Sequence, residues 1–149
     1  MPGGGSFRFA SVAGMAVDGA LAGRTFPPTE PYPVSEERVA EFAAATGSQY
    51  DGGAAPVTFP IVVAFKAMLA LMEDPTVGIE LHRVVHGEQR FRYTRPVVAG
   101  DVLTATLTVD SLRQIGGADI LGTRSEIVDA NGDHVVTAHA VLVHSGESA

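Results

Sequence analysis

Hydrophobic and polar residues along this chain keep two different periods, and the change falls at Pro75. Before it the period is helical. In "SEERVAEFAAATG" (35–47), Val39, Phe42 and Ala43 share one stripe, while Glu36, Glu37, Arg38 and Glu41 lie mostly outside it, as on an amphipathic surface helix. Ser35 is a good N-cap, Arg38 stands where a capping box carries Glu or Gln, and Gly47 suits the position just past the helix end. The next helix lacks such sidedness. From Ile61 to Met72 only Lys66 is not apolar, so this helix is expected to be wrapped on every side. Thr58 is its expected N-cap, Pro60 suits the first turn, and Asp74-Pro75 ends it, because a residue before proline is driven out of helical space.

After Pro75 the period is two. Gln89, Phe91 and Tyr93 alternate with Arg90, Arg92 and Thr94, and Leu103, Ala105, Leu107 and Val109 alternate with a row of threonines. "DILGTRSEIVD" and "HVVTAHAVLVH" flank "ANGD", where Asn131-Gly132 predicts a type I′ hairpin; "VVAGD" and "QIGGAD" supply the other turns. Four antiparallel strands following an apolar helix predict a twisted sheet with one dry face curled around that helix. This is an α+β chain of hotdog architecture: a single antiparallel sheet wrapped around a long apolar central helix. The sheet's outer strand would leave an unpaired edge, so a homodimer or heterodimer is expected. Residues 24–34, "RTFPPTEPYPV", carry four prolines and read as an extended arm over the body.

Composition narrows the picture. At 149 residues with 46% hydrophobic content the chain can form one domain that buries a sizeable core. Residues 1–17 read as a flexible N-terminal segment and 18–149 as the single domain. Arg8 is the only early cation, and Gly14 and Asp18 interrupt the apolar run, which argues against a signal peptide. A net charge of −7 with no Lys/Arg block argues against nucleic acid or an anionic membrane as partner. The absence of cysteine excludes disulfides, zinc-thiolate sites and a thiol nucleophile, and fits a cytoplasmic location. No apolar run is long enough for a transmembrane helix.

Candidate chemistry gathers in two places. The loop "GSQYDGGAAP" (47–56) brings small residues to a helix start, whose unpaired N–H groups and partial positive charge could hold a carbonyl or enolate oxygen against Val57, Thr58 or a neighbour. The plainer reading is a capped core helix after an ordinary loop. Asp51 is a candidate acid in that loop, although turn residues of this kind usually serve the turn. His86 and Glu88, two apart on a strand, are expected on one face with Gln89 opposite, a pair that could act as acid and base or could be solvated interface residues. Arg90, Arg92 and Arg95 could attract phosphates or form a solvated face. His139 and His144 fall on opposite faces, His82 and His134 lie in loops or strand ends, and the five histidines show no metal-ligand spacing. The serines have no elbow motif or adjacent base.

At "RTFPPTEPYPVSEERVAEFAAATG", "APVTFPIVVAF" and above all "VVHGEQRFRYTRPVVAGD", the chain resembles the MaoC-like dehydratase superfamily. It is most similar to the FAS1-type N-terminal dehydratase branch, which includes the small subunits of mycolic-acid (3R)-hydroxyacyl-carrier-protein dehydratases. The resemblance covers about Asp18 to His144. It implies a hotdog fold and reversible syn dehydration of a 3-hydroxyacyl thioester in fatty acid or polyketide metabolism. It implies no cofactor beyond the coenzyme A or acyl-carrier-protein phosphopantetheine that carries the substrate. Active members bear an Asp and a His in a "D-x-N-P-x-H" loop just before the central helix. Here Ser48 stands where the Asp would come, no His lies between Gly47 and His82, and the loop is shorter than the family pattern. The resemblance therefore implies a substrate-binding subunit that pairs with a partner bearing the Asp/His pair, with Pro56, Val57, Thr58, Phe59 and Gln89 as the substrate-binding set. Two alternatives stay open: a self-sufficient acyl-thioester enzyme with a relocated site at Asp51 or His86/Glu88, and a non-catalytic acyl-binding protein.

Overall fold

The computed structural model of the chain describes Val17 and residues 19–145. The expected flexible segment 1–17 lies outside them except for Val17, which is buried. In order come a two-residue strand β1 (Tyr32–Pro33), helix α1 (Glu36–Thr46), helix α2 (Ile61–Glu73), and strands β2 (Val84–Tyr93), β3 (Val102–Ile115), β4 (Ala118–Val128) and β5 (His134–Ser145). They form one five-stranded antiparallel sheet in the order β1-β3-β4-β5-β2. The sheet curls, and α2 lies against β3 and β4 on its inner face.

Alternation decides which side chains meet the helix. Leu103, Ala105, Leu107 and Val109 of β3, Leu121 and Ile127 of β4, and Val136, Ala138 and Leu142 of β5 are all buried in one core cluster with Val63, Met68 and Leu71 of α2 and with Phe59. Each large side chain so enclosed contributes about 1.5–3 kcal/mol. On the opposite, wet face Arg124 bridges Asp110 and Glu126, and Glu126 accepts from Thr137. Helix α1 has the expected ends: Ser35 accepts from the N–H of Arg38, and Gly47 takes the left-handed conformation at φ 71°.

The proline-rich arm is where the pattern placed it. It runs along the outer side of β3, where the N–H groups of Gly23, Phe26 and Thr29 bond the carbonyls of Val109, Leu107 and Ala105 at 2.7–2.9 Å. Prolines 27, 28, 31 and 33 interrupt this pairing because they have no N–H to give. One edge of the sheet is thus covered, and β2 forms the other edge.

Three local expectations are corrected. The helix is not enclosed on every side: the sheet covers one face, while Phe65, Lys66, Ala70 and Glu73 face outward. Its N-cap is Pro60 rather than Thr58, with no side-chain cap. Pro60 has no N–H for an α-helical bond, so the chain approaches through tighter turns, with Phe59 N–H on Pro56 C=O and Ile61 N–H on Thr58 C=O. Nor is Asn131-Gly132 a type I′ turn, since only Gly132 has positive φ. Asp129 instead anchors the loop, its Oδ1 accepting from the N–H groups of Asn131 and Asp133. The type I′ turn falls at Gly116-Gly117, both with positive φ, between the paired Ile115 and Ala118.

Candidate functional site

The entrance to α2 is held from two directions. From one side, Ala54 pairs with Val98 and the Ala55 N–H bonds the Val97 carbonyl at 2.8 Å, which fastens the small-residue loop to the β2–β3 connection. That connection is braced by charged side chains. Arg95 grips Asp101 with both terminal nitrogens at 2.9 and 3.1 Å and reaches Asp129 at 3.1 Å, while Asp101 also accepts the Val98 N–H. Hydrogen bonds to Asp101 and then Asp129 raise the Arg95 pKa, and the hydrogen bond from Arg95 is the main reason the Asp129 carboxyl sits below its usual value. The "RYTRPVVAGD" motif is therefore a clamp. Arg95 is committed to it and is not free for phosphate, while Arg90 and Arg92 lie on the wet face.

From the other side, Tyr93 at the end of β2 donates its phenolic O–H to the Val57 carbonyl at 2.5 Å. Burial pushes the Tyr93 pKa up to about 12, so the group remains a neutral donor throughout the physiological range. The Val57 carbonyl is thus occupied, and those of Pro56 and Thr58 accept from Phe59 and Ile61, which leaves the turn its N–H groups and the Thr58 hydroxyl. The N–H groups of Val57 and Thr58 make no hydrogen bond among the described residues. Val57 is 73% exposed, so this turn is open to a ligand.

The expected substrate-contacting residues divide. Pro56, Val57 and Thr58 form the open turn, but Phe59 is fully buried, packed edge-on to Phe42 with ring centroids 5.4 Å apart. Phe59 anchors the turn to the core and lines no surface. Gln89 lies on the inner face of β2, and its Oε1 is 2.9 Å from His86 Nε2. The expected pairing of His86 with Glu88 is overturned. A β-bulge at Gly87 shifts the register, so His86 opposes Leu142 on the inner face while Glu88 opposes Val141 on the outer one. Glu88 pairs with Arg90 at 2.8 Å. Asp51 serves its turn, accepting the Gly53 N–H at 3.0 Å. The three candidate catalytic residues are thus not assembled into one site, and no group of three or more metal-ligating side chains occurs among the described residues. The sequence alternation set Tyr93 in one row with Gln89 and Phe91 but gave it no role. Its signal was a phenol that closes the Gln89, Phe91, Tyr93 row just before the turn into "TRPVVAGD".

A groove of about 670 Å³ runs beside the C-terminal half of α2, between Lys66, Ala70 and Glu73 and the arm residues Phe26–Glu30. No helix among the described residues is long and apolar enough to cross a membrane.

A curled antiparallel sheet around one apolar helix, with an open turn at the helix start, defines the class as hotdog proteins of the MaoC-like dehydratase type. The model of the FAS1-like, dehydratase domain region matches residues 20–138, and the chain belongs to that family. Its relatives include a UPF0336 protein of Leifsonia xyli subsp. xyli, 48% identical over 145 residues and covering 88% of this chain and 97% of that one. A UPF0336 protein of Streptomyces coelicolor is 45% identical over 143 residues, with 87% and 95% covered. Among solved structures, the C-terminally truncated HadBC (3R-hydroxyacyl-ACP dehydratase) complex of Mycobacterium tuberculosis superposes with a TM-score of 0.72 at 29% identity, over 83% of this chain and 96% of that one. HtdX of the same organism shares the fold, with a TM-score of 0.72 at 22% identity over 82% of this chain and 51% of that one.

Proposed function

We propose that this chain is the acyl-binding subunit of a (3R)-hydroxyacyl-thioester dehydratase, cytoplasmic and active only with a second hotdog subunit that carries the Asp/His pair. The observation that carries this reading is the contrast within one loop. The turn at Pro56–Thr58 keeps two unbonded N–H groups open to a thioester oxygen, while the loop before it has no histidine and its one carboxylate, Asp51, is tied to the Gly53 N–H. The loop can polarise a carbonyl but supplies neither acid nor base. Likeness to a complex described as a (3R)-hydroxyacyl-ACP dehydratase supports the substrate class and the need for a partner. The edge of β2, unpaired among the described residues and with Val85 63% exposed, offers a place for that partner.

In this reading the partner's base removes the α-proton of the 3-hydroxyacyl thioester, and the turn N–H groups receive the charge that develops on the thioester oxygen. The hydroxyl leaves as water with a proton from the partner's acid. The substrate arrives on coenzyme A or acyl carrier protein, and this chain needs no cofactor of its own.

The test is hydration of crotonyl-CoA and longer trans-2-enoyl-CoA, followed by loss of enoyl absorbance. Little turnover by the purified chain, restored by a hotdog partner bearing Asp and His, is the expected result. Turnover by the chain alone, lost in His86→Ala, would overturn it in favour of a self-sufficient site at the His86–Gln89 pair. Thioester binding without turnover in either setting would leave an acyl-binding protein.

A further inference from the structure

A second polar cluster lies inside the molecule, away from the α2 turn, and is independent of the proposed function. Asp119 on β4 and His144 on β5 face each other across the inner side of the sheet, the first fully buried and the second 3% exposed. His144 Nδ1 is 3.1 Å from Asp119 Oδ2, and His144 Nε2 receives the backbone N–H of Glu80 at 3.1 Å. An amide N–H can only donate, so Nε2 must be the bare nitrogen and Nδ1 must carry the proton given to Asp119. The bonding thus fixes a neutral ring with a single tautomer.

The charged and titratable groups around the ring, among the described residues, are these. The Asp119 carboxylate also accepts from the Val17 N–H at 3.2 Å and from Gln114 Nε2 of β3 at 3.1 Å. The Glu80 carboxylate bonds Arg83 at 2.7 Å and stands 3.7 Å from His82. Beside His144 on β2 is the uncharged Val84, and His139 of its own strand is on the other face.

We infer that His144 is a proton-operated latch on residues 78–83, the segment that leads from α2 into the edge strand β2. A second proton on the ring would sit on Nε2, where it would point at the Glu80 N–H, donor against donor. Asp119 would hold the imidazolium from the other side, so the ring stays and the weaker side gives way. That side is residues 78–83, which contain only a single 3₁₀ turn at Leu81–Arg83, with Leu81 51% exposed, whereas Asp119 and His144 lie in central paired strands. Protonation therefore releases Glu80 and loosens the chain up to the start of β2, and the latch closes again when the proton leaves.

Hydrogen exchange of the full chain between pH 8 and 5, with each rate divided by the intrinsic chemical rate, tests this alongside the NMR titration of the His144 ring. Protection over residues 78–84 should fall by up to about tenfold per pH unit, the limit for opening linked to one proton, with the midpoint of the ring titration. His144→Gln offers an amide oxygen to Glu80 and takes no proton, so its protection should stay flat. Asp119→Asn removes the carboxylate that supports the imidazolium and should move the midpoint to lower pH. Protection that stays flat while the ring titrates, an equal fall in His144→Gln, or a ring that takes no proton before the protein unfolds would each overturn the latch.

Discussion

Single side chains set the geometry of the open turn. The phenol of Tyr93 joins the end of β2 to the carbonyl of Val57, and removing it leaves that carbonyl to water rather than to a buried void, since Val57 is exposed. Tyr93→Phe should therefore cost only about 1 kcal/mol in urea denaturation, the ordinary net worth of one hydrogen bond. A loss of several kcal/mol would mean that the phenol holds more than this turn. Residue-scale chemistry was the least legible part of the sequence. Two positions of separation place His86 and Glu88 on one face of a regular strand, and nothing in "VVHGEQ" announces the bulge beyond a glycine that could equally be an unremarkable strand residue. The Asp119–His144 contact was equally hidden. Strand alternation gives the face of each side chain, but which residues stand opposite depends on a register set by distant turns.

Elements were far easier to read, because their signals are local and repeated. Ser35 and Gly47 bound α1 where their chemistry says they should, and the threonine alternation of β3 sorted wet from dry side chains correctly. The errors arose where two local signals competed. Asn131-Gly132 carries the stronger dipeptide signature for a type I′ turn, yet the side chain of Asp129 captures the N–H groups of that loop and leaves Asn131 with negative φ. Gly116-Gly117 takes the two-residue turn instead, with φ of 58° and 83°. Gly117→Ala should lower stability by about 1–2 kcal/mol, because a Cβ is disfavoured in that backbone region, while Gly116→Asn should be nearly neutral. Equal costs at the two positions, measured by thermal or urea unfolding, would argue against a type I′ geometry.

For the whole molecule, acid stability follows from three carboxylates whose pKa values lie below the usual range. Asp129 is held down by hydrogen bonds from Arg95 and the Asp133 N–H, and Asp74 by the Thr76 hydroxyl and N–H. At Glu126 burial pushes upward, but hydrogen bonds from Thr137 and Arg124 with the nearby His134 outweigh it. The unfolded chain takes up protons first, near the ordinary carboxylate values of about 4, so these contributions are fully present above about pH 5 and fade as the pH falls through the lower native values. Thermal unfolding should show a falling melting temperature on that limb, with a shallower slope in Asp129→Asn; an unchanged slope would rule out Asp129 as a source. The sheet's edges also have a consequence for the scale above the molecule. With the proline arm along β3 and no strand beside β2 among the described residues, the described fold is monovalent for strand-to-strand joining. Two such chains joined through β2 consume both open valences, so growth terminates at a pair. A fibre would need a second valence, and the prolines at 27, 28, 31 and 33 make the arm a poor template for one.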